Sequence, residues 1–156
     1  MKKSICLIVV VLLLSLSFTS GIVANEPTFD RTIYVDDDNT SGPWNGTLEH
    51  PYRHIQEGVN NASDGDTVFV FTGNYNEFVW LNKSIHLIGE DKNRTVIDGK
   101  NTGFQIGVYI LSDEVCIKGF TIQNTSYRGY GIFIYRSSPV SNVNITENNI
   151  CNYYRN

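Results

Sequence analysis

Three consecutive aspartates, Asp36, Asp37 and Asp38, are the densest set of hard oxygen ligands in the chain. Hard oxygens are what calcium takes, but the spacing does not make a calcium loop. Counted from Asp36, the position that needs glycine is Ser41 and the one that needs glutamate is Thr47. Asp36 and Asp38 stay as weak calcium candidates beside the preferred reading, a solvated turn that ends a strand. His50 and His54 are four apart, a spacing that suits zinc on a helix face. Pro51 pushes His50 out of helical geometry, and the remaining histidine, His86, is remote. No metal site and no cofactor is expected.

Glycoside hydrolysis requires two carboxyls facing one groove. Asp64/Asp66, Asp91/Asp98 and Asp113/Glu114 are the available pairs, and each falls in a turn. Lys118, Arg94 and Arg128 have the chemistry of a lyase base or substrate clamp. Their settings, a repeat column shared with Thr146 for Lys118 and an Asn-x-Thr loop for Arg94, read as surface charge. The catalytic residues are therefore unknown, and the chain as given reads as a non-enzyme. Aromatic residues carry more information. With Val68/Val70 and Val79/Leu81 turned inward, Phe69, Phe71, Phe78 and Trp80 turn outward on one coil. Trp80 and Phe78, with Tyr127 and Tyr130 around Arg128-Gly129, are carbohydrate-contact candidates, because exposed rings stack on sugars. The preferred expectation for the first-coil rings is different: the N-terminal segment, with Tyr34 and Trp44, folds over them.

These residues sit in a chain of 156 residues, 41% hydrophobic, enough for one domain. Residues 1–24 read as a secretory signal peptide: Lys2 and Lys3, an apolar run from Ile5 to Leu14, then small residues to Ala24. That run is short for a membrane span, so the membrane enters only through an uncleaved leader. Two lysines and no acid leave with it, taking the net charge from −4 to about −6, which disfavours nucleic acid as a partner. Secretion or display at the cell surface is expected. Asn39, Asn45, Asn61, Asn82, Asn93, Asn124 and Asn144 begin Asn-x-Ser/Thr triplets and are glycosylation candidates.

Residues 25–65 read as an N-terminal strand at Ile33 to Val35, a loop, and one helix from Pro51 to Ala62. Tyr52, Ile55, Val59 and Ala62 recur there at helical spacing. Residues 66–156 read as short strands between turns, and they repeat. "VCIKGFTIQN" (Val115 to Asn124) overlies "VNITENNICN" (Val143 to Asn152) at an offset of 28. "GVYI" from Gly107 overlies "GIFI" from Gly131 at 24, and "IHLIG" from Ile85 overlies "VCIKG" at 30. Strand blocks keep register while turns change length, as in a solenoid whose coils stack. The fold class is all-β, a parallel β-helix with the helix as its N-terminal cap. Asn124 and Asn152 form an asparagine ladder at a corner. Cys116 and Cys151 fall in different repeat columns and read as unpaired. The open C-terminal edge calls for further coils or a partner chain.

"IYVDDDNTSGPWNGTLEHPYRHIQEGVNNASDGDTVFVFTGNYNE", "SIHLIGEDKNRTVIDG" and "IKGFTIQN" together resemble the pectin-lyase-like superfamily. The likeness is to exported proteins with NosD-type or carbohydrate-binding and sugar-hydrolase repeats, and it runs from Thr32 to Asn152. The resemblance implies a right-handed β-helix. Its motifs are specific for fold and weak for function, and no catalytic residue carries over to a matching position. The expectation is a non-catalytic module that binds polysaccharide or cell-envelope glycan or builds envelope structure. One alternative is the N-terminal part of a polysaccharide lyase or glycoside hydrolase whose active site lies beyond residue 156. A periplasmic metal-handling accessory protein is the second.

Overall fold

The structure, a computed structural model, describes residues 30–100, 102–124, 129–135 and 141–152. The leader, Tyr127, Arg128 and the side chains of Asn124 and Asn152 lie outside the described residues. Every strand pairing among the described residues is parallel, and the strands form three sheets. The first sheet holds β1 (Thr32–Val35), β2 (Thr67–Val70), β5 (His86–Gly89), β8 (Cys116–Lys118) and β11 (Asn144–Thr146), in that order. The second holds β3 (Gly73–Tyr75), β6 (Thr95–Asp98), β9 (Thr121–Asn124) and β12 (Asn149–Asn152). The third holds β4 (Val79–Leu81), β7 (Ile106–Ile110) and β10 (Tyr130–Ile134). From β2 onward the chain visits first, second and third sheet in rotation.

The offsets read from the sequence are the strand registers. Leu87 stands opposite Ile117 at the offset of 30, and Ile117 opposite Ile145 at 28. Val108 stands opposite Ile132 at 24. Alternation puts every second side chain inside. In the first sheet the inward column is Ile33, Val68, Leu87, Ile117 and Ile145; in the second it includes Tyr75, Ile97 and Ile122. Val79, Leu81, Val108 and Ile110 line the third. All of these except Ile145 are buried, and each aliphatic side chain contributes about 1.5–3 kcal/mol. In the last described round the inward positions open to solvent, with Ile134 at 39% and Ile150 at 51% exposure.

The N-terminal end of all three sheets is closed by polar side chains and loop backbone, which edge strands require. On β1, Tyr34 N–H donates to the Gly46 carbonyl, and Tyr52 exchanges backbone bonds with Tyr34 and Asp36. On β3, the Asp37 carboxylate accepts from Asn74 N–H at 3.0 Å. On β4, Gln56 accepts from Trp80 N–H at 2.7 Å. The helix α1 runs Ile55–Asn61, shorter than the expected Pro51 to Ala62. Tyr52 is extended and bridges Val35, so the pairing of its backbone with β1 displaces the first helical turn. Ile55 and Val59 are buried as expected. Gly58 lets the helix approach closely, since a Cβ there would sit 2.8 Å from Val35 Cγ2.

Side chains from the turns on either side of β4 finish both ends of α1. Glu77 accepts from the N–H groups of Ile55 and Gln56, both at 2.9 Å. Burial raises the Glu77 carboxyl above its usual range, although those two donors and His54 pull it down. Lys83 Nζ donates to the carbonyls of Val59, Asn60 and Ala62 at 3.1, 2.8 and 2.6 Å. Negative charge at the helix start and positive charge at its end both complement the helix dipole.

An asparagine does hold a corner between rounds. Asn148 Nδ2 donates to the Ile117 carbonyl at 2.8 Å, and its Oδ1 accepts from Phe120 N–H at 2.9 Å. The sequence reading gave this role to Asn124 and Asn152, whose backbones stand in register. Cys116 lies in the first sheet and Cys151 in the second, and both thiols are free.

Candidate functional site

The outer face of the third sheet is aromatic. Its strands alternate, so Trp80, Tyr109 and Phe133 occupy one outward column, opposite each other in register. Tyr109 and Phe133 lie 5.6 Å apart with 10° between their planes. Rings in contact at that separation are slid sideways by roughly 4 Å, so much of each ring face stays uncovered. Phe78, two residues before Trp80, shares its side of the chain and stacks on Phe104 at 4.4 Å. Tyr130 and Tyr135 pack edge-on and stacked against Phe133 and Tyr109 respectively, at 5.7 and 6.3 Å. The face is open: Trp80 is 44% exposed, Tyr135 46%, Tyr130 53% and Phe104 63%.

The backbone under this face is fixed. Trp80 is held at its N–H by Gln56, Leu111 N–H donates to the Leu81 carbonyl, and Tyr135 N–H donates to that of Ile110. The platform is apolar across its rings, and Tyr109, Tyr130 and Tyr135 add hydroxyls to it. It offers ring faces for stacking and hydroxyls for hydrogen bonds.

Three of the four expected contact residues, Trp80, Phe78 and Tyr130, meet here; Tyr127 lies outside the described residues. Phe104, Tyr109, Phe133 and Tyr135 were missed. The signal was present, because the 24-residue offset makes Tyr109 and Phe133 equivalent. The expected N-terminal cover is corrected in part. Tyr34 packs on Phe69 and Phe71 at 6.0 and 6.1 Å, but those two belong to the first-sheet side. Phe78 and Trp80 turn away to the third, and Trp44 is itself 47% exposed, with its indole N–H bonded to Asn39.

The carboxylates singled out for hydrolytic chemistry accept backbone bonds within turns or between rounds. Asp64 accepts from Ser84 N–H, Asp66 from Ser63 N–H, Asp91 from Asn93 N–H and Asp98 from Lys100 N–H. Asp113 accepts from Ser141 N–H, and Glu114 sits at a left-handed corner. Asp36 bonds the N–H of Asp38. His54 precedes α1, and His50 lies in the loop before it, so the two do not share a helix face. Among the described residues no three His, Cys, Asp or Glu side chains gather as a metal site. Lys118 pairs with Glu147 at 3.2 Å on the surface. Asn45, Asn61, Asn82, Asn93 and Asn144 are exposed, while Asn39 is half-buried and donates to the Pro51 carbonyl.

Comparison with protein-family models, with curated proteins and with solved structures finds no match.

Proposed function

We propose that this chain is a right-handed parallel β-helix module, exported to the cell surface or beyond, that binds carbohydrate without catalysis through the outer face of its third sheet. The observation that carries the reading is the aromatic column Trp80, Tyr109 and Phe133, flanked by exposed Phe104, Tyr130 and Tyr135. Exposed apolar patches of this kind mark interaction sites. Rings beside hydroxyls suit a pyranose, whose C–H face is apolar and whose rim is polar. The three rotating parallel sheets, with turns of varying length, support the β-helix and its likeness to pectin-lyase-like proteins. Engagement of the candidate carboxylates in backbone bonds supports a binding role over hydrolysis. Of the described glycosylation candidates, Asn39, Asn45 and Asn93 lie in loops, Asn61 ends α1, Asn144 lies on the first sheet and Asn82 directly follows β4.

Sedimentation with cellulose, chitin or isolated cell-wall glycan tests the proposal. One of them should deplete the chain from solution, and Trp80→Ala or Tyr109→Ala should weaken that depletion by about tenfold or more. No depletion by any of the three, or equal depletion by the variants, would overturn it.

A further inference from the structure

An open depression lies away from the aromatic face, where the Asp36 to Asp38 turn meets β3 and the connection from β5 to β6. It is shallow and open to solvent, with a volume of about 460 Å³. Asp37, Asp38, Thr72, Asn74, Asn93 and Arg94 line it, and Val96 is its one apolar side chain. Its walls are fixed from outside. Asp37 is bonded to Asn74 N–H at 3.0 Å, Asn93 Oδ1 accepts from Asn149 at 3.2 Å, and Thr72 N–H donates to Glu90 at 2.9 Å. The side chains of Asp38, Thr72, Asn74 and Arg94, by contrast, have no hydrogen bond or ion pair among the described residues. Arg94 and Asp38 line the same depression without pairing to each other.

We propose that this depression binds a neutral saccharide, at a site independent of the third-sheet face. The lining argues against apolar and anionic ligands. A single valine gives an apolar ligand too little to cover. Two carboxylates against one guanidinium leave the depression negative, which repels phosphates and uronates. Vicinal sugar hydroxyls both donate and accept, and the depression offers both functions side by side. Arg94 donates, Asp38 accepts, Asn74 and Asn93 do both, and Val96 meets a ring C–H face.

The test uses the whole chain, isotopically labelled and produced in a host that leaves Asn93 unmodified. It is titrated by amide-resolved NMR with maltose, cellobiose and chitobiose, and with digalacturonate as the charged probe. One neutral disaccharide is expected to give saturable shifts at Asp37, Asp38, Asn74 and Arg94 with millimolar affinity. Arg94→Ala, at an exposed side chain, should weaken that affinity by about tenfold, while Trp80→Ala leaves it unchanged. Absence of saturable shifts with all three, tighter binding of digalacturonate, or an unaffected Arg94→Ala variant would overturn the proposal. Shifts confined to Trp80, Tyr109 and Phe133 would overturn it too, while leaving the third-sheet reading in place.

Discussion

Gly119→Ala is the sharpest perturbation of the stacked rounds. Gly119 has φ +84, and a Cβ built on it lies 2.2 Å from the carbonyl oxygen of Gly89, one round earlier. The converse also holds, since a Cβ on Gly89 would lie 2.3 Å from the Gly119 oxygen. Neither obstacle is a side chain that can rotate away, because Gly89 ends β5 and is paired with Val70. Left-handed geometry costs a residue with a side chain about 1–2 kcal/mol. Overpacking against fixed backbone adds about 1–3 kcal/mol. Together they reach about 2–5 kcal/mol, a large part of the roughly 5–15 kcal/mol that holds a domain together. The equivalent corner one round later is Glu147, at φ 53, where a side chain is already accommodated. Glu147→Ala, on the surface, should stay within about 0.5 kcal/mol. Urea unfolding followed by far-UV circular dichroism measures both. A Gly119→Ala cost below about 1 kcal/mol, or no larger than that of Glu147→Ala, would refute the stacking of these two corners.

Other expectations follow from the capped helix and the thiols. Lys83→Met keeps the aliphatic stem and removes the bonds to three helix-end carbonyls, so urea unfolding should show a loss of about 1 kcal/mol or more; an unchanged midpoint would contradict that capping role. Glu77 titrates above its unfolded value, so its contribution is complete below the ordinary carboxylate range and is lost as pH climbs through the raised value. Glu77→Gln should therefore gain stability relative to the parent chain as pH rises through that interval, and parallel stability curves would show that burial does not govern the group. Cys116 and Cys151 should both react with a thiol reagent after unfolding without reductant, since they lie on different sheets; a chain with neither thiol reactive would carry a bridge instead.

Much of this architecture was legible as register. The matches of Ile117 to Ile145 and Ile122 to Ile150 appear in sequence because stacked rounds must bury the same columns, whatever the length of the turns between them. The helix start was misread because Tyr52 has helical spacing in sequence, while its backbone is claimed by the open edge of β1. Competition of that kind between local pattern and a distant edge leaves no local trace. The aromatic face was half legible. Phe78 and Trp80 stood out by alternation, but joining them to Tyr109 and Phe133 required knowing that β4 pairs β7 across a connection of variable length. Lys83, which closes α1 from twenty-odd residues away, carried no spacing signal at all.

The most direct test of the third-sheet assignment uses tryptophan itself. The chain has two tryptophans, Trp44 and Trp80, and Trp44→Phe leaves Trp80 as the sole reporter on the aromatic face. Fluorescence of that variant is recorded while soluble hydroxyethyl-cellulose, glycol chitin or polygalacturonate is added. Saturable quenching or a blue shift with one of these polymers, abolished by Tyr109→Ala, is the expected result. Saturable binding of a polymer, detected independently, with Trp80 emission unchanged would place the carbohydrate elsewhere and contradict the assignment.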